Sequence, residues 1–188
     1  LCRQNGSGDH GVYLQITRGV VEKRQHAFSA ESTPTIFAYP FTIAPPSDGS
    51  PANATCFTAV TRTDKRWSRC DIKSTALLGN VLHMMEAVDD GAQEVLLFNQ
   101  RDELTEAAAC NVFIVDAGKI LTPALDHHIL PGVTRRLCLD LLAAHTNWSV
   151  EIRPVTRAEV RSAEEIWLSS STKELAPVTQ IDGQPVGS

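Results

Sequence analysis

Arg66-Trp67-Ser68-Arg69-Cys70-Asp71-Ile72-Lys73-Ser74 divides a β-rich first third of the chain from an α/β remainder, and it runs directly into the apolar stretch Thr75-Ala76-Leu77-Leu78-Gly79-Asn80-Val81-Leu82. Lys73 is its centre, with Arg66, Arg69 and Asp71 just before it. A lysine at the entry to an apolar helix can be desolvated, and cationic neighbours lower its pKa. Those conditions make an amine a usable nucleophile toward a carbonyl. The segment alone leaves a second reading open, in which Lys73 is an ordinary surface lysine in the first turn of a helix.

Working outward, the 188 residues suit one domain or two small ones, with length enough for a real core. Hydrophobic residues make up 43% and charged residues 21%, an ordinary mixture. The formal charge of −5, from 17 Lys and Arg against 22 Asp and Glu, argues against nucleic acid as a partner. No apolar run has the length of a membrane-spanning helix, and the polar start Leu1-Cys2-Arg3-Gln4-Asn5-Gly6 does not read as a signal peptide. The five cysteines are odd in number, widely spaced and without a CxxC pair, which points to reduced thiols in a cytoplasmic setting.

Alternation predicts strands at 11–18 and 33–39, with a loop at 20–26 between them. The Pro, Ser and Gly rich stretch 44–53 is the clearest break in composition. The expected division is therefore 1–45 for a small N-terminal part, 46–53 for a linker and 54–188 for a larger domain. A strand follows at 54–61. A helix is expected over 72–90, burying Leu77, Leu78, Val81, Leu82 and Met85 on one face. Strands are expected at 94–99 and 111–115, the latter in a hairpin with 119–122 turned by Asp116-Ala117-Gly118. A helix near 133–145 presents Val133, Leu137, Leu141 and Leu142, and a strand at 150–155 leads to a short helix opened by Thr156. The last expected strand is 165–168. The fold class is α+β.

Several groups could carry chemistry. Glu106 lies among small residues, where a flat ring could approach; it also reads as a solvated glutamate. Gly132-Val133-Thr134 opens a helix, whose free N–H groups attract anions, or Thr134 is merely a cap. Ser169-Ser170-Ser171-Thr172 supplies hydroxyls after a strand, or is a polar turn. Arg24 and His26, two apart in an extended loop, can grip a carboxylate, or are simply solvated. His127 and His128 lack a third ligand at metal spacing and read as structural, so no metal is expected. Together these groups form an amine, a ring-nitrogen partner, a phosphate cradle and a carboxylate clamp. That set matches pyridoxal 5′-phosphate acting on an amino acid.

The Lys73 segment, with Leu77-Leu78-Gly79-Asn80-Val81-Leu82, resembles the lysine motif of the D-amino-acid transaminases, class IV aminotransferases of pyridoxal-phosphate fold type IV. Thr105-Glu106-Ala107-Ala108-Ala109-Cys110-Asn111-Val112-Phe113 is similar to their glutamate motif. Ile129-Leu130-Pro131-Gly132-Val133-Thr134-Arg135 is similar to their phosphate loop, and Leu168-Ser169-Ser170-Ser171-Thr172-Lys173-Glu174 to their Ser/Thr loop. Ile181-Asp182-Gly183 is similar to the segment beyond. The resemblance spans nearly the whole chain. It implies a small N-terminal α/β domain, incomplete here, and a larger pseudo-barrel α/β domain.

It also implies roles. Lys73 would hold the cofactor as a Schiff base and shuttle the substrate proton, and Glu106 would keep the pyridine nitrogen protonated. Val133, Thr134 and Ser171 would bind phosphate, with Ser170 nearby, and Arg66 would support the ring hydroxyl. Tyr13-Leu14-Gln15-Ile16-Thr17-Arg18-Gly19 followed by Arg24-x-His26 resembles the family's trap for the substrate carboxylate. That trap serves the partner subunit, which implies a homodimer. The implied reaction exchanges amino groups between D-amino acids and 2-oxo acids. The alternatives are another class IV enzyme, a branched-chain aminotransferase or aminodeoxychorismate lyase, and a truncated inactive remnant. Ala107 stands where the family has Gly, and Cys110 where it commonly has Ser. The family's N-terminal part and C-terminal tail are expected to be missing from this chain.

Overall fold

The computed structural model describes residues 1–45 and 48–187. Two compact units divide the chain, Leu1–Ser47 and Asp48–Ser188. Of the expected linker, Pro46 and Ser47 lie outside the described residues, and Pro51–Asn53 forms a single 3-10 turn.

The first unit is an antiparallel pair, β1 (His10–Thr17) and β2 (Thr35–Thr42), with Tyr13 opposite Tyr39. Alternation puts Tyr13, Phe37, Tyr39 and Phe41 on one face. The Tyr13 and Tyr39 rings stack there at 5.2 Å, and Phe37 meets Tyr39 at 5.6 Å. The connecting loop carries Arg24 and His26, both exposed.

The second unit holds β3 (Phe57–Thr63), α1 (Leu78–Asp89), β4 (Glu94–Phe98), β5 (Leu104–Ala107), β6 (Asn111–Asp116), β7 (Lys119–Thr122), α2 (Val133–His145), β8 (Ser149–Ile152), α3 (Arg157–Ser162), β9 (Glu165–Ser170), β10 (Glu174–Ile181) and β11 (Gln184–Pro185). One sheet runs β5-β4-β3-β10-β9-β6-β7-β8, with β11 beside β10. The pairs β3–β4, β7–β8 and β3–β10 are parallel, the first two joined by single helical connections and the third by most of the unit. Parallel neighbours need a long crossover, and α1 and α2 are the crossovers of the first two. The hairpin β6–β7 turns on Ala117 and Gly118, both at positive φ, as a two-residue primed turn requires.

The sheet curls on itself. β5 and β6 have four strands between them in the pairing order, yet only residues 108–110 join them, with the Ala107 N–H on the Cys110 carbonyl at 2.8 Å. On the far side, the Leu104 N–H reaches the Val155 carbonyl at 2.7 Å, and Glu103 bridges Thr156. Period-two alternation then sorts the side chains. Leu96, Phe98, Val112, Ile114 and Leu168 point inward and share a core with Val160 of α3. Val95 and Leu97 point outward onto Ala87 and Met84 of α1, and Phe113 and Val115 onto Cys138, Leu139 and Leu142 of α2. Covered on both faces, β4 is buried throughout.

Several sequence expectations need correction. The first long helix starts at Leu78, so Lys73 lies in the loop before it rather than in its first turn. Its expected core face is exposed: Leu77, Leu78, Val81, Leu82 and Met85 face outward, and α1 packs through His83 and Ala87. On α2, Val133, Leu137 and Leu141 are likewise exposed. Helix periodicity identifies an apolar face but not which element covers it. Ser169 and Ser170 end β9 rather than form a turn, and β10, central to the sheet, was not anticipated. Among the described residues no helix is long and apolar enough to cross a membrane.

Phe98 is fully buried, and the Arg157 guanidinium sits 3.9 Å above its ring. Phe98→Ala is expected to lower unfolding free energy by about 3–5 kcal/mol, the usual cost of a large core cavity, as measured by urea denaturation.

Candidate functional site

The site is built where β3 ends. Asp64 follows β3, its N–H on the Phe98 carbonyl at 2.7 Å, and the chain then turns through Arg66. Gly79 lets α1 pass close over that turn; a Cβ there would sit 3.2 Å from the Arg66 Cα. Arg66 is thereby folded inward, its side chain only 2% exposed. Its Nε and Nη2 donate to the two Asp64 carboxylate oxygens at 3.0 and 2.8 Å. Nη2 also donates to the His128 carbonyl at 3.1 Å, and Nη1 to Glu106.

Glu106, on β5, has a side chain 8% exposed. Its second oxygen accepts the Leu130 N–H at 3.0 Å and faces the Asn111 amide at 3.4 Å. The Asn111 amide also donates to the Leu130 carbonyl at 2.8 Å. Gly132 is required beside it, because a Cβ at that position would run into Asn111 Oδ1. Asn111 lies opposite Ser169 in the β6–β9 register. One connected cluster therefore holds Arg66, Glu106, the entry to α2 and the end of β9.

The two carboxylates differ in character. Burial opposes ionisation of Asp64, but the Arg66 hydrogen bonds and charge outweigh it and hold that carboxyl below the usual range. Burial dominates at Glu106 and raises its pKa, with the Arg66 charge and hydrogen bond opposing. For Arg66 itself, burial is overcome by Asp64 and Glu106, so its pKa rises further.

Lys73 is exposed. Arg66 is engaged with Asp64 and Glu106, and Arg69 is paired with Asp71 at 2.9 Å, so neither presents a bare cation to it. The sequence allowed for a desolvated lysine here; in this structure the residue is exposed. Val133 and Thr134 open α2, whose N-terminus has no side-chain cap, so its first N–H groups stay open. Ser170 Oγ accepts the Lys173 N–H at 3.2 Å, and Ser171 is exposed. The Ser169 hydroxyl is buried without a hydrogen-bond partner among the described residues. Arg24 and His26 belong to the first unit, in the loop between β1 and β2, and are exposed.

Three supporting groups escaped the sequence reading. Asp64 precedes Arg66 by two residues, a spacing that signals a local ion pair. Asn111 was visible only as part of a motif. Glu94, fully buried, accepts the Ala108 N–H at 3.2 Å, while the Asn80 amide holds the Ala108 carbonyl at 2.7 Å. The turn after Glu106 is thus fixed from both sides.

A family profile described as amino-transferase class IV matches residues 1–181. The chain belongs to the class IV aminotransferases. Among curated relatives it is 39% identical over 185 residues to a D-alanine aminotransferase of Bacillus licheniformis, covering 98% of this chain and 63% of that protein. A D-alanine aminotransferase of Listeria monocytogenes is 37% identical over 190 residues, again with 63% of its length covered. The chain thus spans less than two thirds of these class IV relatives. The fold IV transaminase CpuTA1 of Curtobacterium pusillum superposes with a TM-score of 0.80 at 23% identity, over 100% of this chain and 61% of that one. A branched-chain aminotransferase mutant of Thermobaculum terrenum gives 0.84 at 26% identity, over 98% and 59%. The curled sheet with its outer helices is the fold type IV architecture expected from the sequence.

The residues present fit the pyridoxal phosphate that this family implies. A buried carboxylate fixed by Arg66 and Leu130 suits a ring nitrogen, an uncapped helix N-terminus suits a phosphate, and the Ser169 hydroxyl, opposite Asn111 in the strand register, is buried without a partner among the described residues.

Arg66→Met leaves two buried carboxylates without their cation and is expected to destabilise by about 3–5 kcal/mol. The sign with pH follows. Asp64, held low in the folded protein, contributes stability above its unfolded pKa of 3.8 that is lost as pH falls. The variant lacks that contribution, so its deficit in urea denaturation is larger at pH 8 than at pH 3.

Proposed function

We propose that this chain is the cofactor-binding part of a pyridoxal-phosphate transaminase acting on D-amino acids and 2-oxo acids. The buried Glu106 carboxylate, held in place by Arg66 and by the Leu130 N–H, carries this reading. Pyridoxal phosphate, when bound, supplies an aldehyde that condenses with amines and a ring that withdraws electrons from the attached Cα.

The chain's own groups have distinct tasks in this reading. Lys73 Nζ would hold the aldehyde, and as a free amine would carry a proton to and from the substrate Cα. Glu106 accepts the hydrogen bond of the protonated ring nitrogen. The Val133 and Thr134 amides, the Thr134 hydroxyl and Ser171 bind the phosphate, with Ser170 at its edge. Arg66 is a positioning residue for Glu106; its engagement with Asp64 and Glu106 does not favour the ring-hydroxyl role that the resemblance implied.

Arg24 and His26 supply donors for the substrate carboxylate and favour the D-amino-acid reading over the branched-chain one. Holding that carboxylate on one side decides which Cα–H meets the lysine. The exposed apolar row of α1, Leu78, Val81, Leu82 and Met85, supports a homodimer. The free cysteines support a cytoplasmic setting.

Two experiments test this function. Incubation with pyridoxal phosphate, borohydride reduction and peptide mapping is expected to label Lys73; label on Lys173 instead would move the reaction centre. In the longer protein, Arg24→Ala with His26→Ala is expected to cut D-alanine turnover by about a hundredfold through misorientation. Unchanged turnover would remove the carboxylate-trap reading.

A further inference from the structure

The turn between β7 and α2 carries Asp126, His127 and His128, none of which has a task in the proposed reaction. One ligand atom from each lies within 4.8 Å of the others. The two imidazole rings pack with centroids 4.0 Å apart. Asp126 Oδ1 accepts the His128 N–H at 2.8 Å, which fixes the turn, and Oδ2 faces His128 Nδ1 at 3.5 Å. That nitrogen is buried and has no hydrogen-bond partner among the described residues. The backbone behind is pinned, with the His127 carbonyl accepting the Asp71 N–H at 3.4 Å and the His128 carbonyl accepting Arg66 Nη2 at 3.1 Å.

We propose that Asp126, His127 and His128 form a binding site for a divalent transition cation of the zinc class. An ion about 2.1 Å from each of two ligand atoms 3.5 Å apart subtends an angle of about 110°, the tetrahedral value. Two such bonds span about 4.2 Å, and with all three ligand atoms already within 4.8 Å of one another only small side-chain movements are needed to meet one ion. Asp126 and His127 are exposed and free to make them. Two imidazoles and one carboxylate suit zinc, cobalt or nickel rather than magnesium or calcium, which take oxygen ligands. Three protein ligands leave the fourth position to water. The sequence hid the site because the third ligand is the residue next to the pair rather than one at a helical or CxxC spacing.

Titration of the full chain with Co2+ tests the site, followed by visible absorption and displaced by Zn2+. Cys2 and Cys56, the exposed thiols, are replaced by Ser to remove competing ligands. One equivalent is expected to bind. His127→Ala and Asp126→Ala are each expected to weaken binding by at least about tenfold, the cost of losing even an outer-shell partner, while His145→Ala leaves it unchanged. Circular dichroism confirms folding, and His127→Ala decides if another variant unfolds. Equal affinity in His127→Ala, or loss of binding in His145→Ala, overturns the proposal.

Discussion

One buried guanidinium holds the site together. Arg66 serves two carboxylates, and the three side chains are 2–8% exposed. Such burial is tolerated only when every charge is partnered, and a single cation cannot satisfy two anions equally. Asp64 takes the two-pronged contact, together with the Arg66 N–H at 3.0 Å and the Thr105 hydroxyl at 2.9 Å. Glu106 takes the remaining prong. The asymmetry separates Asp64, which its hydrogen bonds hold below the usual carboxylate range, from Glu106, whose pKa burial raises. It also joins three segments distant in sequence: the loop after β3, the end of β5 and the turn before α2.

The site could be read from the sequence mainly where it depends on residue type. Glu106 among small residues and Gly132 before a helix were each recognisable. Their convergence was not, because it rests on the curl of the sheet. β5 and β6 lie side by side only because β4, β3, β10 and β9 wrap round between them. Asp64 and Asn111 carry no motif of their own, and a hydrogen-bond partner is visible only once both ends are placed.

The fold was legible in its strands and less so in its helical faces. Val95-Leu96-Leu97-Phe98 is apolar without a break because inner and outer layers both cover it. On α1 two faces compete. The larger aliphatic residues suggested the core side, but the sheet accepts the small Ala87 and the imidazole of His83, whose Nε2 takes the Lys65 N–H at 3.1 Å. β10 was missed because Pro177 interrupts its alternation and Glu174, at positive φ, starts it from a turn.

The central claim is that Arg66 divides its charge unequally between two buried carboxylates. Carbon-13 NMR titration of the Glu106 and Asp64 side-chain carboxyls measures this directly. The account predicts that Glu106 titrates above the ordinary glutamate value of 4.5 and Asp64 below the ordinary aspartate value of 3.8. A Glu106 carboxyl titrating below its ordinary value, with Asp64 above, would contradict it.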